Sequence, residues 1–209
     1  ELQVTTNFSF LRGASHPEEM VEQAAALGYA KIGITDHNTL AGVVRAHSAT
    51  KGKDIRIMPG CRLNLLDGSP LLMYPTDKDA YARLSALLSK GNLRAEKGEC
   101  HLYKADVIEH SFGNKFIAIP PHMLDGTYEL SPQFVMDLKM YLDAFGKDLY
   151  LGANRTYQAN DNKRLHQIAR LSEKFGVPMV ATNDVHYHLS KRRELQDVLT
   201  CIRENCTIY

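Results

Sequence analysis

Ile32 and Ile34, Ile55 and Ile57, Leu72, Ile117 and Ile119, Leu149 and Leu151, and Met179 and Val180 lie in short apolar or alternating runs, as does Val4 near the start. Most of these runs are bounded by Gly, Pro, Asp or Asn, and they read as β-strands. Between them the period becomes helical. Ser15-His16-Pro17-Glu18 offers a capping serine, a proline in the first turn and a glutamate three residues on, which predicts a helix running to about Leu27, where Gly28 ends it. Leu165, Ile168, Leu171 and Phe175 form an apolar stripe on a second helix, stopped by Gly176 and Pro178 and followed at once by a strand over residues 178–182. Residues 192–203 read as a further helix. Residues 61–104 read as an inserted hairpin turning at Asp67-Gly68, then a helix, then a basic loop from Lys90 to Lys97.

Repeated alternation of strand and helix predicts a parallel sheet, either closed as a barrel or open and doubly wound. The barrel is favoured, because the candidate chemistry follows several different strands and no glycine-rich turn marks a dinucleotide site. Asp36-His37 and Asp184-Val185-His186 each end a short apolar run. The C-terminal ends of such strands share one face, so the two pairs can converge. Asp and His are also the residue types that hold hydrolytic cations. A plainer role competes in each case: Asp36 and Asp184 could cap helices. His47, His101, His110 and His166 sit in polar or helical contexts and read as ordinary histidines.

The 209 residues are 44% hydrophobic and 23% charged, the profile of one soluble domain spanning 1–209. No apolar run approaches the roughly 20 residues that span a bilayer, and the start resembles no signal peptide, so a cytoplasmic location without membrane contact is expected. Twenty-five Lys and Arg against 24 Asp and Glu leave a net charge of +1, which supplies no general attraction to a phosphate backbone. The basic loop also contains Glu96 and reads as solvated rather than as a nucleic-acid contact. The four cysteines, Cys61, Cys100, Cys201 and Cys206, show no Cys-x-x-Cys spacing and read as reduced thiols without a functional role. A first residue other than Met and an end shortly after a helical segment predict the N-terminal piece of a longer chain.

Three stretches carry a family resemblance: Asn7-Phe8-Ser9-Phe10-Leu11-Arg12-Gly13-Ala14-Ser15-His16-Pro17-Glu18-Glu19, Ile34-Thr35-Asp36-His37-Asn38-Thr39-Leu40-Ala41-Gly42, and Val180 to His188 running into Leu195-Gln196-Asp197-Val198-Leu199-Thr200-Cys201-Ile202-Arg203. The chain resembles the polymerase and histidinol phosphatase (PHP) domain of bacterial C-family DNA polymerases, the polymerase III alpha type, and most of all the error-prone paralogue. The resemblance implies an α/β fold, a distorted TIM-like (β/α)7 barrel whose C-terminal face holds a metal cluster in active relatives.

The same resemblance locates departures. Gln3 and Thr5 stand where the family has His-x-His on its first strand, Arg12 where Leu-Asp-Gly has its carboxylate, and Arg62 where Gly-Ala-Glu has its own. Gln and Thr are weak neutral ligands, and a guanidinium cannot bind a cation. What survives as a vestigial metal set is Asp36, His37, Asp184 and His186, with His122, His188 and Asn154 as neighbours of open alignment. Arg12 and Arg62 could instead pair with Asp36 and Asp184. The implied reading is a catalytically silent scaffold within a DNA-directed DNA polymerase, a nucleotidyltransferase of replication or translesion synthesis. Its partners would be the remainder of the polymerase chain, replisome or proofreading proteins, and DNA through the parent protein. No catalytic residue and no cofactor is expected in the domain. Two alternatives stand beside this. One is a metal-dependent phosphoesterase or 3′–5′ proofreading exonuclease holding zinc, manganese or magnesium at low occupancy. The other is a partner-binding module without catalysis.

Overall fold

The computed structural model describes residues 1–208. In chain order the elements are α1 Pro17–Ala26, β1 Lys31–Ile34, α2 Val43–Ala49, β2 Arg56–Pro59, β3 Cys61–Leu63, β4 Leu71–Pro75, α3 Lys78–Leu93, α4 Lys104–Glu109, β5 Asn114–Ala118, α5 Pro132–Phe145, β6 Leu149–Ala153, α6 Asp161–Phe175, β7 Met179–Ala181 and α7 Arg193–Glu204. The span expected as one domain comprises two compact units, Glu1–Cys61 with the segment from Asn183 onward, and Arg62–Thr182.

In the first unit β1 and β2 pair in parallel, Ile32 opposite Ile57 and Ile34 opposite Pro59. Val4 adds single parallel bridges to Ile34 and to Val185, so the two chain-distant segments of this unit meet on the first residues of the protein. Val4, Met20, Val21, Ala24, Ile32, Ile34, Val43, Ala46 and Ile55 form one buried cluster under α1 and α2. At roughly 1.5–3 kcal/mol for each large buried aliphatic side chain, that cluster is the main term holding the unit together. The start of α1 differs from expectation by one residue. His16, in extended backbone (φ −70°, ψ 153°), is the N-cap, and the Glu19 carboxylate accepts its N–H at 2.9 Å. The Ser15 hydroxyl is left for another partner. Gly28, at φ +81°, ends the helical turn as predicted.

The second unit carries a five-stranded sheet in the order β3-β4-β5-β6-β7. β4 and β5 are antiparallel, whereas β5, β6 and β7 run parallel. Among the described residues the strands pair in two sheets and close no ring. The strand and helix alternation of the expected barrel is present, but β4 runs against β5 and β3 and β7 are three residues long, too short for extended ladders. In the inserted segment Asp67-Gly68 lies between neighbouring β3 and β4, and α3 follows with Asp77 as N-cap, accepting from the Ala80 N–H at 2.7 Å. Phe116 and Phe145 stack 3.9 Å apart among buried Leu71, Met73, Leu138 and Leu149. α6 stops at Gly176 (φ +65°), matching the apolar stripe and its terminator. The basic loop is partly helix. Lys90 lies in α3, and both it and Arg94 pair with Asp106, which neutralises the segment locally. No described helix is long and apolar enough to cross a membrane.

Candidate functional site

Asp36 sits one residue beyond Thr35, whose N–H donates to the Val4 carbonyl at 2.9 Å and whose Oγ1 accepts from the Val4 N–H at 3.0 Å. This reciprocal bridge delivers Asp36 to the end of β1, where it is 1% exposed. Its Oδ1 accepts from the Thr6 N–H (2.8 Å), Thr6 Oγ1 (3.0 Å) and Ser9 Oγ (2.6 Å), and its Oδ2 lies 2.8 Å from Thr6 Oγ1. Ser9 Oγ also accepts from the His37 N–H at 2.9 Å. Burial pushes the Asp36 carboxyl above the usual range, against the opposing hydrogen bonds of Ser9 and Thr6. Its partners are neutral. Asp36 is therefore neither a helix N-cap nor an ion-pair partner of Arg12. Asn38 has φ +52° and α2 starts only at Val43, while the Arg12 guanidinium is lowered from its usual value by burial and by Arg203.

Gly42 sets the outer wall of this cradle. A Cβ there would lie 2.4 Å from Asp36 Oδ2 and 2.9 Å from Thr6 Oγ1, so only glycine allows the backbone this close to the carboxylate.

Asp184 takes a left-handed backbone (φ +49°) between the Val185 bridge and the end of the preceding strand. Its Oδ1 accepts from Gln3 Nε2 at 2.7 Å and lies 3.6 Å from His186 Nε2. Gln3 and Thr5, on either side of Val4, are both buried. Among the described residues the Thr5 Oγ1 has no hydrogen-bond partner. His186 Nδ1 faces the Arg12 carbonyl at 3.3 Å, and that carbonyl also accepts from Gln196 Nε2 at 2.7 Å. His188 turns to other neighbours: its Nδ1 is 2.7 Å from Ser15 Oγ and 3.8 Å from Glu19 Oε2, and Glu19 is also held by Arg192.

In the second unit, Arg62 and His122 line a cavity of about 120 Å³ with Ser69, Pro120, Pro121 and Ser131. Buried Arg164 donates to the Pro121 carbonyl (2.8 Å), the Asn154 carbonyl (2.9 Å) and Asn154 Oδ1 (3.1 Å), fixing the ends of β5 and β6. Among the described residues, no group of three or more His, Cys, Asp or Glu side chains is placed to hold a metal ion. The residues missing from the sequence reading are Thr6, Ser9 and Arg164. A Thr-x-x-Ser spacing before an aspartate is too common to signal a cradle. Arg164 could have been found as a charged residue beside Leu165 and Ile168 on the apolar side of the helix, one turn after the buried Asp161.

Residues 1–156 match the PHP domain model. The chain is 52% identical over 209 residues to an error-prone DNA polymerase of Caulobacter vibrioides, which covers 100% of this chain and 19% of that protein. It is 47% identical over 208 residues to error-prone DNA polymerase 2 of Agrobacterium fabrum, covering 18% of it. The chain thus spans about a fifth of the length of these relatives. Among solved structures it resembles an amidohydrolase from Chromobacterium violaceum with bound SO4 and no metal (TM-score 0.63, 16% identity, 90% of this chain and 87% of that one). It also resembles an endonuclease Q complex with an abasic duplex (TM-score 0.55, 12% identity, 97% and 56%). At these identities the two structures establish a shared mixed α/β fold and nothing further.

Proposed function

Because the chain belongs to the PHP domain family, we propose that it is the PHP domain of an error-prone polymerase III alpha-type DNA polymerase, serving as a non-catalytic scaffold in replication or translesion synthesis. The polymerase part of the reading rests on identity sustained over the whole chain to relatives of that name. The scaffold part rests on one observation, the neutral cradle of Asp36. A carboxylate that shares a bridged metal cluster has a cation as its main partner, whereas Asp36 is held by two hydroxyls and a backbone N–H. The donor set around it is equally poor. Gln3 and Thr5 offer neutral oxygens, and Asp184 is engaged by the Gln3 amide. These residues do not fit a multi-metal hydrolytic centre.

Under this reading the partners are the rest of the polymerase chain and, through it, DNA; nucleotidyl transfer belongs to residues elsewhere in that chain. The rival phosphoesterase or exonuclease reading requires a bound zinc, manganese or magnesium. Elemental analysis of the purified polymerase, with thermal unfolding before and after added manganese or zinc, separates the two. The scaffold reading expects substoichiometric metal, no shift in Tm and no hydrolysis of a chromogenic phosphodiester. Stoichiometric metal with a Tm rise that is lost in Asp184→Ala and His186→Ala would overturn it.

A further inference from the structure

α7 ends in a hydrogen-bonded reversal. Asn205 is left-handed (φ 52°, ψ 47°), its N–H points to the Cys201 carbonyl, and the Cys206 N–H donates to the same oxygen at 3.0 Å. This is a Schellman-type end, in which the first and sixth residues are brought together and their side chains ordinarily make an apolar contact. Here both are cysteines. A six-residue reversal closed in this way keeps its end Cα atoms within the roughly 7 Å that a disulfide can bridge. Cys206 is exposed, Cys201 is half-buried, and neither is already in a disulfide.

We propose that Cys201 and Cys206 form a reversible dithiol–disulfide clasp at the end of α7, a modification site for small-molecule disulfide oxidants. The exposed Cys206 thiol meets the oxidant first. Its thiolate attacks one sulfur of the small disulfide, the oxidant's S–S bond breaks, and one small thiolate leaves and takes up the proton Cys206 released. Cys201 then loses its proton and attacks the Cys206 sulfur, expelling the second small thiol. Two protein thiols are oxidised and one small disulfide is reduced to two thiols. The ring pins the last turn of α7 and the direction in which residues from 207 onward leave it. Burial and the neighbouring Cys206 raise the Cys201 thiol, which disfavours its thiolate.

The test uses the full chain that carries this domain, equilibrated in glutathione buffers from fully reduced to fully oxidised, alkylated, digested with trypsin without reduction and mapped by mass spectrometry. Arg203 lies between the two cysteines, so cleavage there leaves them on separate peptides that only a disulfide joins. The expected result is a Cys201–Cys206 linked pair two hydrogens lighter than its parts, which returns to two free peptides on reduction. Asn205→Ala, strained in the left-handed region, should lower the oxidation equilibrium constant about fivefold, and Asn205→Gly should not lower it. Separate alkylation of both cysteines in the most oxidising buffer, or a stable glutathione adduct on Cys206 as the end product, would overturn the proposal. Equal oxidation in the wild type and Asn205→Ala would overturn the role of the reversal.

Discussion

Two aspartates with little exposed surface, Asp36 in the first unit and Asp106 in the second, are held in opposite ways. Asp36 is satisfied by Thr6 and Ser9, and burial wins, so its carboxyl titrates above the usual range. Asp106 accepts from both arms of the Arg94 guanidinium (2.6 and 3.1 Å), from Lys90 (2.8 Å) and from the Tyr103 N–H (3.1 Å). Those hydrogen bonds outweigh the loss of water and bring its pKa down to about 2. Burial and the charge of the donors together decide where a carboxylate titrates: Asp36 has the deeper burial and neutral donors, Asp106 two cationic ones. In this chain the charged arrangement staples α3 to α4, far in sequence from the candidate site, and the site itself keeps the neutral one.

The contrast makes its strongest claim about Asp106. Asp106→Asn should destabilise the fold by about 3 kcal/mol in urea unfolding, because Arg94 and Lys90 would then face an amide donor. A loss under 1 kcal/mol would mean that the cations simply turn to solvent. Next in size is Gly42→Ala, which drives a methyl group into the Asp36 carboxylate and should cost about 2 kcal/mol. Combining it with Asp36→Ala should recover part of that loss, since the two residues collide directly; strict additivity would place the strain elsewhere.

The smallest expected effect is that of Asp36→Asn, under about 1 kcal/mol at neutral pH, because an amide can replace the carboxylate while donating to Thr6 Oγ1. The sign with pH sharpens the point. A carboxyl raised in the folded state contributes stability that is fully present below 3.8 and lost as pH rises through its folded value, whereas Asp106 contributes stability above 3.8 that is lost as pH falls towards about 2. Urea midpoints measured from pH 7 to pH 2.5 should therefore fall less steeply in Asp106→Asn than in the wild type. In Asp36→Asn they should fall more steeply. If both variants track the wild type, the two carboxylates do not differ in the way described.

Helix ends were the most legible part of this sequence, because their signals are local. Gly176 and Pro178 stop α6 where the apolar stripe stops, and Gly28 closes the turn after α1. The one-residue error at Ser15 has the same local origin: two consecutive residues can cap, and the choice fell to His16 because Ser15 is claimed by His188, 173 positions away. Asp36 was legible as a residue at the end of β1 but not in its hydrogen bonding. Asn38-Thr39-Leu40 imitates a helix start, and what prevents one is the left-handed Asn38, which sequence does not reveal. The departures expected at Gln3 and Thr5 come from the family resemblance alone, whereas the hydroxyls that hold Asp36 belong to residue types too common in loops to announce themselves. The cysteine pair was hidden for a related reason, since a separation of five has no meaning until a helix ends between its members.

The first unit is assembled from two stretches of chain, and Val4 bonds to a residue near position 185. During synthesis residues 1–61 must wait for about 120 more before the segment that bridges Val4 exists. At the usual pace of translation that delay is on the order of ten seconds, during which Val4 lacks its bridge to Val185. The order of emergence therefore makes the inserted unit the first that can complete itself, with the amino-terminal segment dependent on a later arrival for closure.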